Sequence, residues 1–396
     1  MRELISQWIT PDVGYIALVF VIFVIPRYLQ RFRLPSAVSS FALGVVSAAL
    51  GWFEHDQTIH LLSTLGIVSL FLFAGLEINI ADLQANARIL TQHLVILSVT
   101  LALGAAALAI WLGVPRREAL LVALALATPS TGFILDSLDS FGLSAEERQW
   151  VKTKAIASEL LALCAMFVVL QTLTLSLFLA SVGIMLVLVF IVPVVFRIFA
   201  RLIIPYAPKS EFAFLIMFAT VCAFITRKLG VYYLVGAFLV GLAARQFREQ
   251  LPAVASRKVL DSLEVFASFF VPFYFFYAGS KVAVQGFTLD TVLMAVLFLA
   301  VAIPFRLGSV LLHRRLALRE GFKDSIRIGV PMLPTLVFTL VIAEILQERF
   351  AVNHAIVAAL SIYAVGSALV VSFAFKKSEP EYAEDPLRVL ERPASE

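Results

Sequence analysis

A chain of 396 residues that is 61% hydrophobic and 15% charged departs from soluble domains, in which about 45–50% apolar and about 25% charged residues are usual. With a mean hydropathy of +0.96, lipid is the expected solvent, and the net charge of +4 is too small and too scattered to suggest nucleic acid as a partner. The two cysteines, Cys164 and Cys222, sit in separate apolar runs without CxxC spacing, which argues against a disulfide framework or a thiolate metal site.

A bilayer core needs about 20 apolar residues per helix. Runs of this kind predict an all-α polytopic membrane protein with about thirteen spans, at 12–31, 34–53, 58–79, 91–114, 118–139, 153–175, 176–200, 210–228, 230–246, 260–284, 288–313, 324–347 and 352–375. The first run, Val13 to Ile25, leads into the basic segment Arg27 to Arg33 and not into a small-residue cleavage site, so it reads as a retained span. Residues 376–396 read as a short charged cytoplasmic tail.

The distribution of Lys and Arg checks the count. Odd-numbered connections hold nineteen of them and even-numbered ones hold six, the asymmetry expected if odd connections face the cytoplasm. The N-terminus is therefore expected outside and the C-terminus inside, in a plasma membrane such as the bacterial inner membrane.

Two spans are interrupted. The fifth contains Thr128-Pro129-Ser130-Thr131-Gly132 and the twelfth contains Pro331-Met-Leu-Pro334-Thr335 at a similar depth. Proline removes an intrahelical hydrogen bond, and in hydrocarbon the freed carbonyl must meet protein, water or an ion. Either site alone fits an ordinary proline kink. Two in corresponding spans fit an inverted repeat built around a binding site.

Ionisable groups at mid-membrane are costly and mark function. Glu159, in Ala-Ile-Ala-Ser158-Glu159-Leu-Leu, and Arg306, in Ile-Pro304-Phe-Arg306-Leu, are the two that qualify. A carboxylate that holds either a proton or a small cation is what exchange between them requires, whereas a structural Glu159–Arg306 ion pair is the plainer alternative. Glu77, Asp82, Asp136, Asp139, Glu264 and Glu344 lie near span ends, where water or headgroups serve them. His60, His93, His313 and His354 are scattered without metal-ligand spacing, and the sequence has no HExxH, nucleophile elbow or phosphate-binding glycine loop. An enzyme is not expected, nor is a cofactor.

Several stretches in order resemble the monovalent cation/proton antiporter superfamily, in its Kef-type and sodium/proton exchanger-like branch. Leu34-Pro35-Ser-Ala-Val resembles the start of that family's second span, and Leu70-Phe-Leu-Phe-Ala-Gly75-Leu-Glu77 the end of its third. Leu234-Val-Gly236-Ala-Phe-Leu-Val-Gly241 resembles the ninth, and Phe270-Val-Pro272-Phe-Tyr-Phe-Phe-Tyr-Ala-Gly279 the tenth. The resemblance implies a transmembrane exchanger domain over 1–375, with dimerising scaffold spans at 12–79 and 210–284, a linker helix at 176–200, and a transport core at 91–175 and 288–375 in which the two broken helices cross. It further implies that the ion-binding acid of span six is matched by Ser158-Glu159 and a basic residue of span eleven by Arg306.

Two departures stand out. The family's acid or amide before the ion-binding acid is Ser158 here, and the Gly-Glu-Phe motif of many Kef-type twelfth spans is replaced by Leu333-Pro334-Thr335-Leu-Val-Phe. A nucleotide-binding regulatory domain of the Kef type is not expected. The expected activity is exchange of Na⁺, or of K⁺ or Li⁺, for H⁺ by elevator-type alternating access in a homodimer, with Glu159 carrying either ligand. Ser158, Thr131, Thr128 and carbonyls freed near Pro129 and Pro334 are the other expected ligands. One titrating acid beside an arginine that stays charged predicts electroneutral exchange. A proton-coupled organic-anion transporter using Arg306 and Glu159, and a non-transporting sensor, are the rival readings.

Overall fold

The computed structural model describes residues 11–53, 56–138, 142–171, 175–207, 210–228, 234–247, 257–282, 286–319 and 321–374. Asp139, Lys209, Arg248 and the expected tail at 376–396 lie outside them. The described residues are helical apart from short connections, in the order α1 (Pro11–Leu29), α2 (Ser36–Ala49), α3 (Gln57–Leu76), α4 (Ile80–Ala85), α5 (Ala87–Leu112), α6 (Arg116–Ala127), α7 (Thr131–Ser137), α8 (Ala145–Gln171), α9 (Leu175–Leu202), α10 (Glu211–Lys228), α11 (Leu234–Phe247), α12 (Arg257–Ser280), α13 (Leu289–Leu318), α14 (Phe322–Gly329), α15 (Leu336–Phe350) and α16 (His354–Ala374). Among the described residues nine helices are long and apolar enough to cross a membrane, and the bent pair Asp324–Met332 with Leu336–Phe350, turned by 45°, makes a tenth. The molecule is an all-helical integral membrane protein with multiple spans.

Local signals set the helix ends. Asp56 caps α3 by accepting from the Ile59 N–H at 3.0 Å, and Thr288 caps α13 by accepting from the Thr291 N–H at 3.3 Å, each satisfying a donor that the first turn leaves unpaired. Pro35 and Pro115 sit immediately before α2 and α6, where a missing N–H costs nothing. α8 begins at Ala145, eight residues before the span expected at 153–175, because Glu146, Glu147, Arg148 and Lys152 lower the hydropathy of a segment that is still helical.

The helices pack in two groups. α12 lies against α2 and α3, α11 against α3 and α10, and α1 against α2 and α12. In the second group α6 contacts α5, α15 and α16; α13 contacts α14, α16 and α5; and α8 contacts α5 and α7. α9 touches α11 on one side and α8 on the other, with Phe199 stacked on Phe214 of α10 at 3.7 Å between ring centres. Between the groups, Phe71 of α3 meets Phe338 of α15 edge-on at 5.8 Å, and Lys152 of α8 pairs with Glu77 at the end of α3.

The first group closes on glycine. A Cβ added at Gly44 would stand 1.9 Å from the Phe276 carbonyl oxygen, and one at Gly279 2.1 Å from that of Phe41, so α2 and α12 meet backbone to backbone. α3 and α11 meet in the same way at Gly75 and Gly241, with added Cβ atoms 2.2 Å from the Phe238 oxygen and 2.1 Å from the Leu72 oxygen. Such close approach is how helices gain contact where lipid competes equally for apolar side chains.

Candidate functional site: two broken helices and a buried carboxylate

The segment expected at 118–139 is two helices, α6 and α7, separated by Thr128, Pro129 and Ser130. Thr128 adopts an extended conformation, φ −80° and ψ 118°, as the residue before a proline tends to do. The segment expected at 324–347 is likewise α14, a single 3₁₀ turn over Val330–Met332 that contains Pro331, and α15, with Pro334 and Thr335 in the gap.

The two gaps meet and satisfy each other. The Ser130 N–H donates to the Pro334 carbonyl at 2.8 Å, and the Ser130 hydroxyl accepts from the Val337 N–H at 2.9 Å, capping the first turn of α15. Pro129 has no N–H for the Ala125 carbonyl four residues back, and the Thr339 hydroxyl donates there instead at 2.7 Å. The Leu126 carbonyl, left when Ser130 turns to Pro334, accepts from the Tyr363 hydroxyl at 2.7 Å. Thr335 is held through its N–H and its hydroxyl by Ser367 on α16, at 3.3 Å in each case. The contacts of Ala125, Leu126 and Ser130 in this crossing all reach more than 200 residues along the chain, so the crossing is a tertiary object, although its proline causes are local.

Glu159 and Arg306 serve opposite ends of these breaks. Glu159, 5% exposed on α8, accepts the Thr131 N–H at 2.8 Å and so caps the start of α7. The Thr131 hydroxyl lies beside the same carboxylate without a well-formed hydrogen bond to any described group. Arg306 on α13 donates to the Met332 carbonyl at 2.5 Å and the Leu333 carbonyl at 2.6 Å, with the Tyr363 hydroxyl at 3.4 Å. A carboxylate at a helix start and a guanidinium at a helix end both complement the local backbone charge. Neither needs the other, and among the described residues no ion pair joins Glu159 to Arg306; the guanidinium is spent on the carbonyls at the end of the 3₁₀ turn, where the chain breaks before α15.

Ser158 does not turn its hydroxyl toward Thr131. It donates to the Lys154 carbonyl at 2.8 Å and contacts His93 Nε2 at 2.8 Å. Thr128, Ser130, Thr131, Pro331 and Thr335 are all buried. The carbonyls expected as cation ligands near Pro129 and Pro334 each already accept one protein hydrogen bond, which leaves a second lone pair apiece. A cavity of about 590 Å³ between α5 and α13 reaches Pro129, Ser158, His93 and Arg306. Among the described residues no cluster of His, Cys, Asp and Glu suits a multivalent metal.

Sequence reasoning passed over Lys154, His93, His313 and Tyr363. Lys154 and Ser158 stand four apart on one helical face, a signal present in the sequence, but Lys154 is one of the nineteen basic residues assigned there to odd-numbered connections. The histidines join it only through the fold.

A buried acid stands at the crossing of two broken helices, inside an all-helical membrane protein, and the family to which the chain belongs is one of transporters and not of enzymes. The chain belongs to the sodium/hydrogen exchanger family: the model described as "Sodium/hydrogen exchanger, transmembrane" matches residues 16–377. It is 24% identical over 386 residues to the "Probable Na(+)/H(+) antiporter 3" of Methanocaldococcus jannaschii, covering 90% of this chain and 93% of that one. It is 25% identical over 285 residues to the Na(+)/H(+)-K(+) antiporter GerN of Bacillus cereus, covering 65% and 67%. Its fold is similar to that of the sodium proton antiporter MjNhaP1 from M. jannaschii, with a TM-score of 0.64 and 12% identity over 91% of this chain and 95% of that one.

Proposed function

We propose that the chain is a monovalent cation/proton antiporter that exchanges Na⁺, or K⁺ or Li⁺, for H⁺ one for one, with Glu159 as the carboxylate that both ligands share. The observation that carries this reading is the hydrogen bond to Glu159 from the Thr131 N–H, at a buried position without a charged partner for it among the described residues. A buried carboxylate held this lightly is stable when neutralised, by a proton or by a small cation, and costly when bare. Thr131, Thr128 and the carbonyls of the crossing supply oxygen ligands suited to an alkali cation.

The two shorter apolar helices Ser36–Ala49 and Leu234–Gln246, together with Glu211–Lys228, bring the crossings to thirteen, with the N-terminus outside. On this reading α1 to α3 and α10 to α12 form a scaffold that pairs with a second copy. α5 to α8 and α13 to α16 form the moving core, an inverted repeat whose related breaks are those at Pro129 and Pro334, and α9 links the two. Alternating access is then movement of the core, with Glu159, against the scaffold. Arg306 holds one break together and remains charged throughout, which keeps the cycle electroneutral. Its engagement with Met332 and Leu333 also disfavours the organic-anion reading, because a substrate carboxylate would have to displace both carbonyls.

The test is proton movement in proteoliposomes followed with an interior pH dye. Adding Na⁺, Li⁺ or K⁺ to wild type is expected to move protons, with the voltage clamped or not, and Glu159→Gln is expected to abolish the response while eluting as wild type. Silence toward every alkali cation, from mildly acidic to mildly alkaline pH, would sink the exchanger reading.

A further inference from the structure

Four cationic or basic side chains are buried together one turn from Glu159 on a different face of α8. Lys154 is 1% exposed, and its Nζ stands 2.7 Å from His313 Nδ1. The same ammonium lies 4.0 Å from the centre of the Trp150 ring, and the Arg314 guanidinium carbon lies 4.3 Å from it. His93 stacks on His313 with ring centres 6.0 Å apart. The groups that face Lys154 are therefore His93 from α5, His313 and Arg314 from α13, and, from its own helix, Trp150 and, across the adjoining pocket, Glu146; Arg327 of α14 is paired with Glu147. No carboxylate among the described residues pairs with Lys154.

Hydrogen-bond roles follow from the donors present. The Ser158 hydroxyl spends its proton on the Lys154 carbonyl, so His93 must carry a proton on Nε2 to bond the Ser158 oxygen. Lys154 has no acceptor of its own while protonated, so the Nδ1 of His313 must offer a lone pair to it. A protonated Lys154 facing a doubly protonated His313 would leave neither nitrogen a lone pair for the other. One proton between two nitrogens 2.7 Å apart satisfies both.

The cluster also divides two cavities. A pocket of about 410 Å³ ends on Lys154, with Asn86, Glu146, Gln149 and Trp150 in its walls, while His93 and Ser158 line the cavity that reaches Pro129. We propose that Lys154 and His313 form a second proton-binding site, separate from Glu159, that exchanges its proton with the solvent of the Glu146 pocket. Transfer leaves a neutral amine and an imidazolium, or the reverse, and loss of the proton to water leaves both neutral. No electron moves. The site loads and unloads from one side, so it leaves the one-for-one exchange unchanged and instead adds an ionisation to its pH profile. It passes this on through Ser158, whose hydroxyl is tied to the Lys154 backbone and whose chain neighbour is Glu159. Only this effect on transport rests on the exchange proposed above; the proton site stands without it.

The site is tested by following histidine ring ¹⁵N signals during pH titration of the full chain in lipid nanodiscs, with His313→Gln to assign the resonance. The His313 midpoint is expected to differ between wild type and Lys154→Met by about one pH unit or more, the coupling expected of adjacent titrating groups, while exposed His354 does not move. The pH of half-maximal cation-dependent proton flux is expected to move in the same variant. An unmoved His313 signal overturns the proposal even if exchange is robust. A moved signal in a protein that exchanges no cation upholds the site and sinks the exchanger reading. Should Lys154→Met fail to fold, labelled Lys154 and His313 in wild type decide: one common titration step supports the shared proton, and two independent steps overturn it.

Discussion

Helices α2, α3, α11 and α12 and helices α6, α13, α15 and α16 face the same solvent and are held together by different means. The first set meets through glycine, backbone against backbone at Gly44, Gly75, Gly241 and Gly279, with no polar side chain needed. The second set is broken twice by proline and is rejoined by Ser130, Thr339, Tyr363 and Arg306. Steric contact of the first kind has one arrangement. Hydrogen bonds at an open break can be remade with other partners, including a bound ion, so the second kind suits the part that handles the ligand.

If that contrast is right, small changes in the glycine set should damage folding and leave chemistry alone, and small changes in the crossing should do the opposite. The largest effect is expected from Gly75→Ala or Gly241→Ala. Either new Cβ meets backbone and not a movable side chain, so the helices must separate, at a cost of about 3 kcal/mol or more, at or above the usual range for overpacking. Thermal denaturation in detergent, read by size exclusion, should show a lower midpoint and loss of folded protein, and the folded remainder should keep the wild-type cation preference.

Next in size is Arg306→Gln. It replaces the charge-assisted fork to Met332 and Leu333 with at most one neutral amide bond and leaves at least one buried carbonyl short of a partner, at about 1–3 kcal/mol. Proton flux is expected to fall by about tenfold or more, with the elution profile unchanged. Arg306→Lys, which keeps the charge and loses the fork, should recover part of the rate. If Arg306→Gln instead abolished folding while Gly75→Ala left it intact, the contrast between the two regions would be reversed.

Ser130→Ala is a smaller perturbation of the same object. It deletes the cap on Val337 and keeps the Ser130 N–H bond to Pro334, at about 1 kcal/mol. A decline of about fivefold in flux is the expected reading, larger than any change in thermal midpoint.

The breaks were legible because proline states its consequence locally: Pro129 and Pro334 announce freed carbonyls before any neighbour is known. Glu159 was legible because a carboxylate in an Ala-Leu run is rare. What the sequence did not disclose is where each charge is spent. Arg306 looked like a partner for Glu159, and only the packing of α13 against the bent segment shows that the carbonyls of Met332 and Leu333 take it. Lys154 was hidden by its surroundings, since the polar opening of α8 made it resemble a loop cation, although it is buried as Glu159 is. His93 and His313 belong to helices that only the fold brings together. The glycine contacts were half visible: Gly75 and Gly241 were noticed as part of a pattern, and the reason for them is the 2.1 to 2.2 Å that a Cβ would have to cross.

The smallest effect is also the control that gives the largest its meaning. Gly183 lies inside α9 with open space where a Cβ would go, and it faces outward on a helix that touches both groups. If glycine mattered in this protein for flexibility along the helix, Gly183→Ala would stiffen α9 and slow transport. If it matters for contact, the substitution meets nothing and should change stability by no more than about 0.5 kcal/mol, leaving the thermal midpoint in place or raising it slightly through better helix propensity, with flux unaltered. Equal damage from Gly183→Ala and Gly75→Ala would remove the steric argument; a silent Gly183→Ala beside a damaging Gly75→Ala would locate the effect at the α3–α11 contact, where the added methyl has no room.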